Sequence, residues 1–431
     1  MSASDIPKHC KSLHYGWIIV FTGVAILFAC LGLGRFAIGM LLPSMGQSLN
    51  LTYSQMGFIG TGNFIGYMVS VLFSGMVATR LGARNTIFMG LLLVGITMGL
   101  ISQTMTFSQV LVLYTLTGIG TGLANMPLMG LISHWFLKST RGRAAGTMLS
   151  GNGLAIVFSG VFVPWINGAA GANGWRIAWI FMGVISIVIA VVALVLLRND
   201  PAQKGLAPVG ETIKEENIKE ENIEKKNSGG QVATPASRKN LAGASRKTLA
   251  YLGCIYLCFG ATYSVYVTFI VTALVNDHGF GEGAAGSFWA VVGGLSMISG
   301  PLFGSLSDRI GRRRGMMMAY GLFTLAYTLA AAPLPKLFLY ASIVLFGLIV
   351  WSIPTIMSAA VGDYMGPFQA VKALGFITLF FGAGQIAGPA MAGFLADVTG
   401  SFSAGFWLCA CLTALAVGLS FFLKPPAADG S

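Results

Sequence analysis

The chain has 431 residues, 55% of them hydrophobic and only 9% charged, with a net charge of +12, whereas soluble domains carry about 25% charged residues. So little charge cannot clothe a water-exposed surface, which excludes a soluble globular fold and makes lipid the solvent for most of the chain. The cationic excess is explained by where it lies along the chain and calls for no nucleic-acid partner.

In chain order, a polar tail over 1–14 precedes twelve apolar segments. They lie near 15–42, 52–78, 86–102, 108–137, 144–166, 176–197, 248–276, 283–306, 315–333, 337–362, 370–396 and 402–423. Most approach or exceed the ~20 residues that span a bilayer as helix. The first is longer than a signal-peptide core, lacks a clear small-residue cleavage site and is read as retained. Residues 198–247 are rich in Lys, Glu, Asn, Ser and Gly and repeat Lys-Glu-Glu-Asn-Ile at 214–218 and 219–223. With little to bury, they are expected to form a disordered linker. The predicted organisation is a helical bundle over 15–197, that linker, a second bundle over 248–423 and a tail over 424–431. Twelve crossings put both termini on one side. Only Arg176 and Lys336 then fall in loops of the other side, and only Arg35 lies inside a span. The positive-inside rule makes the terminal side cytoplasmic, in a multi-pass protein of the inner membrane.

Two matching motifs lie 229 residues apart. The first runs Gly75 to Arg84 and contains Thr79, Arg80 and Gly82; the second runs Gly304 to Arg313 and contains Asp308, Arg309, Gly311 and Arg312. The same offset relates Gly57 to Gly286, Arg143 to Lys372 and Gly146 to Gly375. Matching membrane halves with basic loops at matching places are the construction of a transporter. The glycines allow tight turns, and the arginines can reach helix C-termini and carboxylates. Asp308 is placed to pair with Arg309 or Arg312, and Asp363 is a second partner. Such pairs could latch one face and open when the halves rock; the plainer alternative is topology and loop anchoring. Thr79 stands where the first copy should have a carboxylate, and His134 is nearby.

This plan, with Gly304 to Arg313 fitting Gly-x-x-x-Asp-Arg-x-Gly-Arg-Arg, resembles the major facilitator superfamily. The resemblance implies twelve transmembrane helices in two pseudo-symmetric six-helix bundles, with a central cavity lined by helices 1, 4, 7 and 10. Trp135-Phe136, Arg141-Gly142-Arg143, Gly151-Asn-Gly153, His14-Tyr15-Gly16-Trp17 and the run Gly382 to Pro389 resemble the monocarboxylate and oxalate–formate branch. No Arg or Lys occurs from Phe280 to Ser307, where animal-type monocarboxylate carriers place an arginine, so anion binding through that residue does not transfer.

Arg35, in Gly32-Leu-Gly34-Arg35-Phe36, is the cation inside a span. A central arginine costs about 2.5–3.5 kcal/mol on insertion scales, so it is expected to face a cavity or a partner, with snorkelling to the outer interface as the alternative. No mid-membrane carboxylate is available to neutralise it, and a guanidinium matches a carboxylate as a bidentate fork. Arg35 is therefore the expected substrate anchor. Asn125 before Pro127, Tyr263, Tyr266 and Trp351 near Pro354 are further candidates for substrate contact, with Ser264 as the offset mate of Arg35. Asn63, Tyr67, Asn152 and Gln385 are additional polar groups. Each could equally be an interhelical hydrogen bond. Cys254 and Cys258 read as packing residues; no metal site, cofactor or catalytic group is expected. The function expected is secondary transport of a small mono- or dicarboxylate by alternating access, as proton symport or anion exchange, by a monomer. The alternatives are efflux of an amphipathic metabolite or drug, and a membrane receptor or scaffold using the charged linker.

Overall fold

The structure, a computed structural model, describes residues 14–209, 235–365 and 369–423. The expected tails over 1–13 and 424–431 and the linker stretch 210–234 lie outside the described residues. Twelve long helices carry the fold: α1 Tyr15–Leu49, α2 Tyr53–Leu81, α3 Ala83–Ile101, α4 Phe107–Trp135, α5 Lys138–Ala170 and α6 Gly174–Leu196 in the first half. The second half holds α7 Pro235–Asn276, α8 Glu282–Ile310, α9 Arg312–Ala331, α10 Lys336–Met365, α11 Ala370–Thr399 and α12 Ser403–Phe422. Among the described residues there is no strand, only an isolated bridge between Phe136 and Val209. All but α9, which opens on three arginines, lie in stretches long and apolar enough to cross a bilayer. Helices α2, α3, α4 and α6 begin 229 residues before α8, α9, α10 and α12, so the offset that relates the motifs also relates the helices. Gly82 and Gly311, the turn glycines of the two copies, both have positive φ, +81° and +89°, a conformation that glycine adopts without strain.

Glycines let the helices approach closely within each half. A methyl on Gly118 in α4 would collide with the backbone carbonyl of Asn63 in α2, and one on Gly66 with that of Thr115. Overpacking of this kind costs typically 1–3 kcal/mol. Gly118→Ala should therefore lower thermal stability by about that amount in detergent, and unchanged unfolding would show the α2–α4 contact to be soft.

Between the halves, contact is concentrated away from the face that carries the residue-14 end of α1 and the residue-423 end of α12, here termed the terminal face. At the opposite, far face the Asp397 carboxylate accepts the Tyr53 and Ser54 N–H groups (2.7 and 2.9 Å), at the N-terminus of α2. Asn167 donates to Glu282 (2.7 Å), and the Thr61 hydroxyl donates to the Ile386 carbonyl (2.8 Å). Gly57 abuts the Pro389 carbonyl, Gly160 faces Gly286, and Gly39 faces the Val267 carbonyl. Toward the terminal face, Gly75, Gly142, Gly146, Gly362 and Gly375 have open space where a side chain would begin. The halves are thus pinned at the far face and part toward the terminal one.

Residues 198–209, which their polarity assigns to a disordered linker, are packed on the terminal end of the first half. The Arg198 carbonyl accepts from the Trp135 indole (3.0 Å), Val209 exchanges backbone bonds with Trp135 and Leu137, and the His14 ring meets the Ala207 carbonyl. Tyr15 packs on Trp135 (5.6 Å between centroids) and Trp17 on Phe136 (5.9 Å). Gly16 leaves room for Val209 and Phe136. The signature around residue 14 and that around residue 135 are therefore two walls of one cap. Buried Pro201 and the paired backbone of Val209 supply anchors that a composition average hides. At the other end, α7 starts at Pro235, ahead of the apolar run.

Candidate functional site

The α1 helix is not regular. Over Phe28–Phe36 it widens into a π-helix, and Arg35 sits in its last turn. A π segment shifts the backbone bonding by one residue, as in the Ala37 N–H to Gly32 carbonyl bond (3.1 Å), and such segments are frequent at functional sites. Three side chains from neighbouring helices bond its carbonyls. Thr121 donates to Cys30 (2.9 Å), Asn63 to Gly34 (3.3 Å), and the Tyr114 hydroxyl to Arg35 itself (3.0 Å). Asn63 also donates to the Tyr114 carbonyl (3.1 Å). Gly32 and Gly34 admit Ala155 and Thr121 against the helix. The widened turn is thus clamped by α2 and α4, which fixes the exit direction of the Arg35 side chain.

That side chain is buried, with 7% of its surface exposed. Its Nε donates a long bond to the Asn63 amide oxygen (3.4 Å), and its guanidinium lies over the rings of Tyr67 (4.1 Å) and Phe64 (4.8 Å). Its Nη2 is buried without a hydrogen-bond partner. No carboxylate among the described residues pairs with it. Snorkelling is not what happens here, because the charge is held by α2 rings at mid-helix. Asn125, two residues before Pro127, donates to the Tyr67 hydroxyl (3.0 Å) and leaves its own buried oxygen unpartnered. Two polar atoms, one cationic donor and one acceptor, therefore remain unmatched around Tyr67. A buried unmatched charge is costly, and a bound anion would relieve it.

The second half faces this site with rings. Phe36, adjacent to Arg35, packs edge-on against Tyr263 (6.4 Å) and Trp351 (6.1 Å), which touch each other at 5.8 Å. Phe381 stacks on Tyr256 (4.7 Å) and meets Tyr263 at 6.4 Å. Trp351 stands at a break in α10, between Lys336–Ile349 and Ser352–Met365, where Pro354 has no N–H to continue the helix. Its backbone N–H donates to Ser299 instead (3.0 Å). Tyr266 is placed elsewhere than expected. Its hydroxyl shares a bond with Ser342 (3.0 Å) and its ring stacks on Phe346 (3.8 Å), inside the second half. It lies roughly 60° round α7 from Tyr263, enough to turn from the interface to α10. Ser264 bonds its own helix through Ala261.

The motif residues gather at the terminal face. Arg312 bonds Asp363 through Nε (2.8 Å), pairs with Asp308, and donates to the Ser307 hydroxyl (2.8 Å). These groups tie α8, α9 and α10 within one half, so here the pair braces a half and does not bridge the two. Arg313 lies over Phe421 of α12 (4.7 Å), while Arg309 and Lys372 are exposed. Because Asp308 and Asp363 are 61% and 43% exposed, each pair is worth about 0–1 kcal/mol. Asp363→Asn should then leave folding intact to within about that amount, while Asp308→Asn/Asp363→Asn should free Arg312 and slow transport more than either single change; initial uptake rates check this. In the first half Thr79 bonds back to Met76, and Asn199 replaces the missing carboxylate as organiser, accepting the Arg84 N–H (2.8 Å) beside Gly82. Arg141 caps the end of α4 through the Ser133 and Phe136 carbonyls, and Arg80, Arg143 and His134 are exposed. Gly75 and His134 line a cleft of about 500 Å³ with Asn199. Among the described residues no group of three His, Cys, Asp or Glu could hold a metal.

Sequence reasoning underrated Asn63 and Tyr67 and did not single out Phe64. The available signal was their helical spacing: 63, 64 and 67 share one face of α2.

The profile of the Major Facilitator Superfamily matches residues 24–300 and 252–431. The hexuronate transporter of Bacillus subtilis is 24% identical over 91% of this chain and 91% of its own. A high-affinity nitrate transporter of Arabidopsis thaliana is 25% identical over 90% of this chain and 77% of its own. Among solved structures, a bacterial homologue of the human lysosomal transporter Spinster, inward-facing and occupied, aligns with a TM-score of 0.75 at 14% identity, covering 97% of this chain and 100% of that one.

Proposed function

The chain belongs to the major facilitator superfamily, a family of multi-pass membrane transporters and not of enzymes, and on that premise we propose that it moves a small organic anion across the inner membrane by alternating access. The observation that carries the proposal is Arg35: a buried guanidinium clamped at mid-helix, unpaired by any described carboxylate, with an unpartnered donor atom. A carboxylate would supply the missing acceptor in bidentate geometry. The similarity to a transporter named for hexuronate, an organic anion, supports the same reading. The termini face the cytoplasm, as the lysine and arginine placement favours, so a structure pinned at the far face is open inward. Coupling is by proton symport or anion exchange, since neutralisation of Arg35 by the anion suits either.

The test is uptake of labelled formate, acetate, lactate, pyruvate, oxalate and succinate into proteoliposomes, for wild type and Arg35→Gln, with and without an inward proton gradient. Saturable uptake of at least one acid that disappears in Arg35→Gln is expected, and its response to the gradient separates symport from exchange. Uptake indifferent to Arg35 would remove the anchor and favour efflux of an apolar compound.

A further inference from the structure

The site has one charge and many rings, and that imbalance bears on what it accepts. From Thr248 to Asn276, from Gly283 to Ser307, from Leu337 to Gly362 and from Ala373 to Ala396, the second half has no charged residue. Arg35 therefore has no cationic counterpart across the interface. A dicarboxylate would bring a second negative group to a wall that offers it no cation, in a medium where an unpaired charge is poorly tolerated.

The uncharged groups are also informative. Arg35 lies over the Tyr67 ring at 4.1 Å, and Phe36, its neighbour in the chain, meets the Tyr263 ring at 6.4 Å. Tyr256 stacks on Phe381, which also meets Tyr263, so both phenols of the second half belong to one ring cluster. The Tyr256 and Tyr263 hydroxyls make no hydrogen bond to a described residue. Behind them the wall is aromatic: Phe36, Tyr263 and Trp351 meet at 5.8–6.4 Å, and Tyr256, Phe259 and Phe381 stack with interplanar angles of 5–15°. A polyhydroxylated acid needs several donors and acceptors along its body, each of which is costly to leave unmatched on burial. Unpartnered polar atoms lie around Tyr67, on Arg35 and Asn125, with the Asn152 amide oxygen in α5 as a further buried acceptor, whereas the ring wall of the second half offers faces and edges suited to a flat apolar body.

We propose that the substrate is a monoanion with a planar apolar body, an aryl or arylalkyl monocarboxylate, whose carboxylate meets Arg35 and whose ring packs against Tyr263 and Trp351. This rests on the reading of Arg35 as the anion anchor and narrows it. It separates this chain from a carrier of sugar acids despite its similarity to a hexuronate transporter.

The experiment is competition and direct uptake in proteoliposomes with benzoate, phenylacetate, acetate, succinate, tartrate and glucuronate, for wild type, Arg35→Gln, Tyr263→Leu and Trp351→Leu. The leucine variants keep apolar volume while removing the aromatic face, and their unfolding temperatures are measured alongside. Benzoate or phenylacetate should show a KM at least tenfold below those of acetate, succinate and glucuronate. Tyr263→Leu and Trp351→Leu should raise that KM at least tenfold while changing the acetate KM much less. Preference for glucuronate, tartrate or succinate that still depends on Arg35 would overturn the aryl assignment and leave the organic-anion function standing. Aryl uptake indifferent to both leucine changes in folded protein would overturn it too. Loss of Arg35 dependence for every acid would overturn the anchor and, with it, this inference.

Discussion

Arg35→Lys should abolish most transport although it keeps the positive charge. The guanidinium is held as a plane, over Tyr67 at 4.1 Å and Phe64 at 4.8 Å, with Nε directed to Asn63. An ammonium is a compact, strongly hydrated point charge with no plane to stack and no fork to present. Losing one partner of a buried, hydrogen-bonded charge pair costs about 2–5 kcal/mol, and at ~1.4 kcal/mol per tenfold that is roughly 30- to 4000-fold in affinity. Lysine retains the Coulomb attraction, so the lower end applies: kcat/KM for the preferred anion should fall at least ~30-fold, with most of the loss in KM. Arg35→Gln, which removes the charge, should fall further. The measurement is initial uptake over a concentration series, with protein folding checked by thermal unfolding. Wild-type kinetics in Arg35→Lys would mean that only a positive field is required, and the fork geometry would have to be given up.

The architecture was legible because its signals are long and repeated. Twelve apolar runs, two motif copies and one offset survive any local irregularity, and the helix starts of the second half repeat those of the first at that offset. Arg35 was legible for a different reason: a charge in a span is rare and costly enough to single itself out. What escaped the sequence is what depends on orientation about a helix axis. Tyr263 and Tyr266 look equivalent on paper, yet one meets Trp351 and the other Ser342. The π-helical turn escaped too, because no residue type announces it; it goes with a set of bonds from Asn63, Tyr114 and Thr121 on other helices. The polar run from Arg198 looked like linker because composition averages over anchors such as Pro201 and Val209.

Gly57→Val should shift the whole molecule away from the far-face-closed arrangement. Gly57 sits directly against the Pro389 carbonyl, backbone to backbone, where α2 and α11 meet between the halves. No flexible side-chain end can yield there, so a branched side chain must push the helices apart. If the closed arrangement bears the ~1–3 kcal/mol of an overpacked contact and the arrangement with α2 and α11 separated does not, the ratio of the two changes by roughly 5- to 150-fold. Gly286 faces Gly160 at the offset-related place between α8 and α5, so Gly286→Val should act in the same sense. Gly146 has nothing within 4 Å of an added side chain, so Gly146→Val is the control. Spin labels at Gln47 and Gly283, which line one far-face cleft, report the change. A longer-distance population should appear in Gly57→Val and Gly286→Val but not in the control, and uptake should slow because the return to the closed arrangement has become uphill. A fall in unfolding temperature with an unchanged distance distribution would show instead that the α2–α11 contact serves only to hold the fold. The far-face contacts would then be structural seams, and the moving boundary would have to be sought at the terminal face.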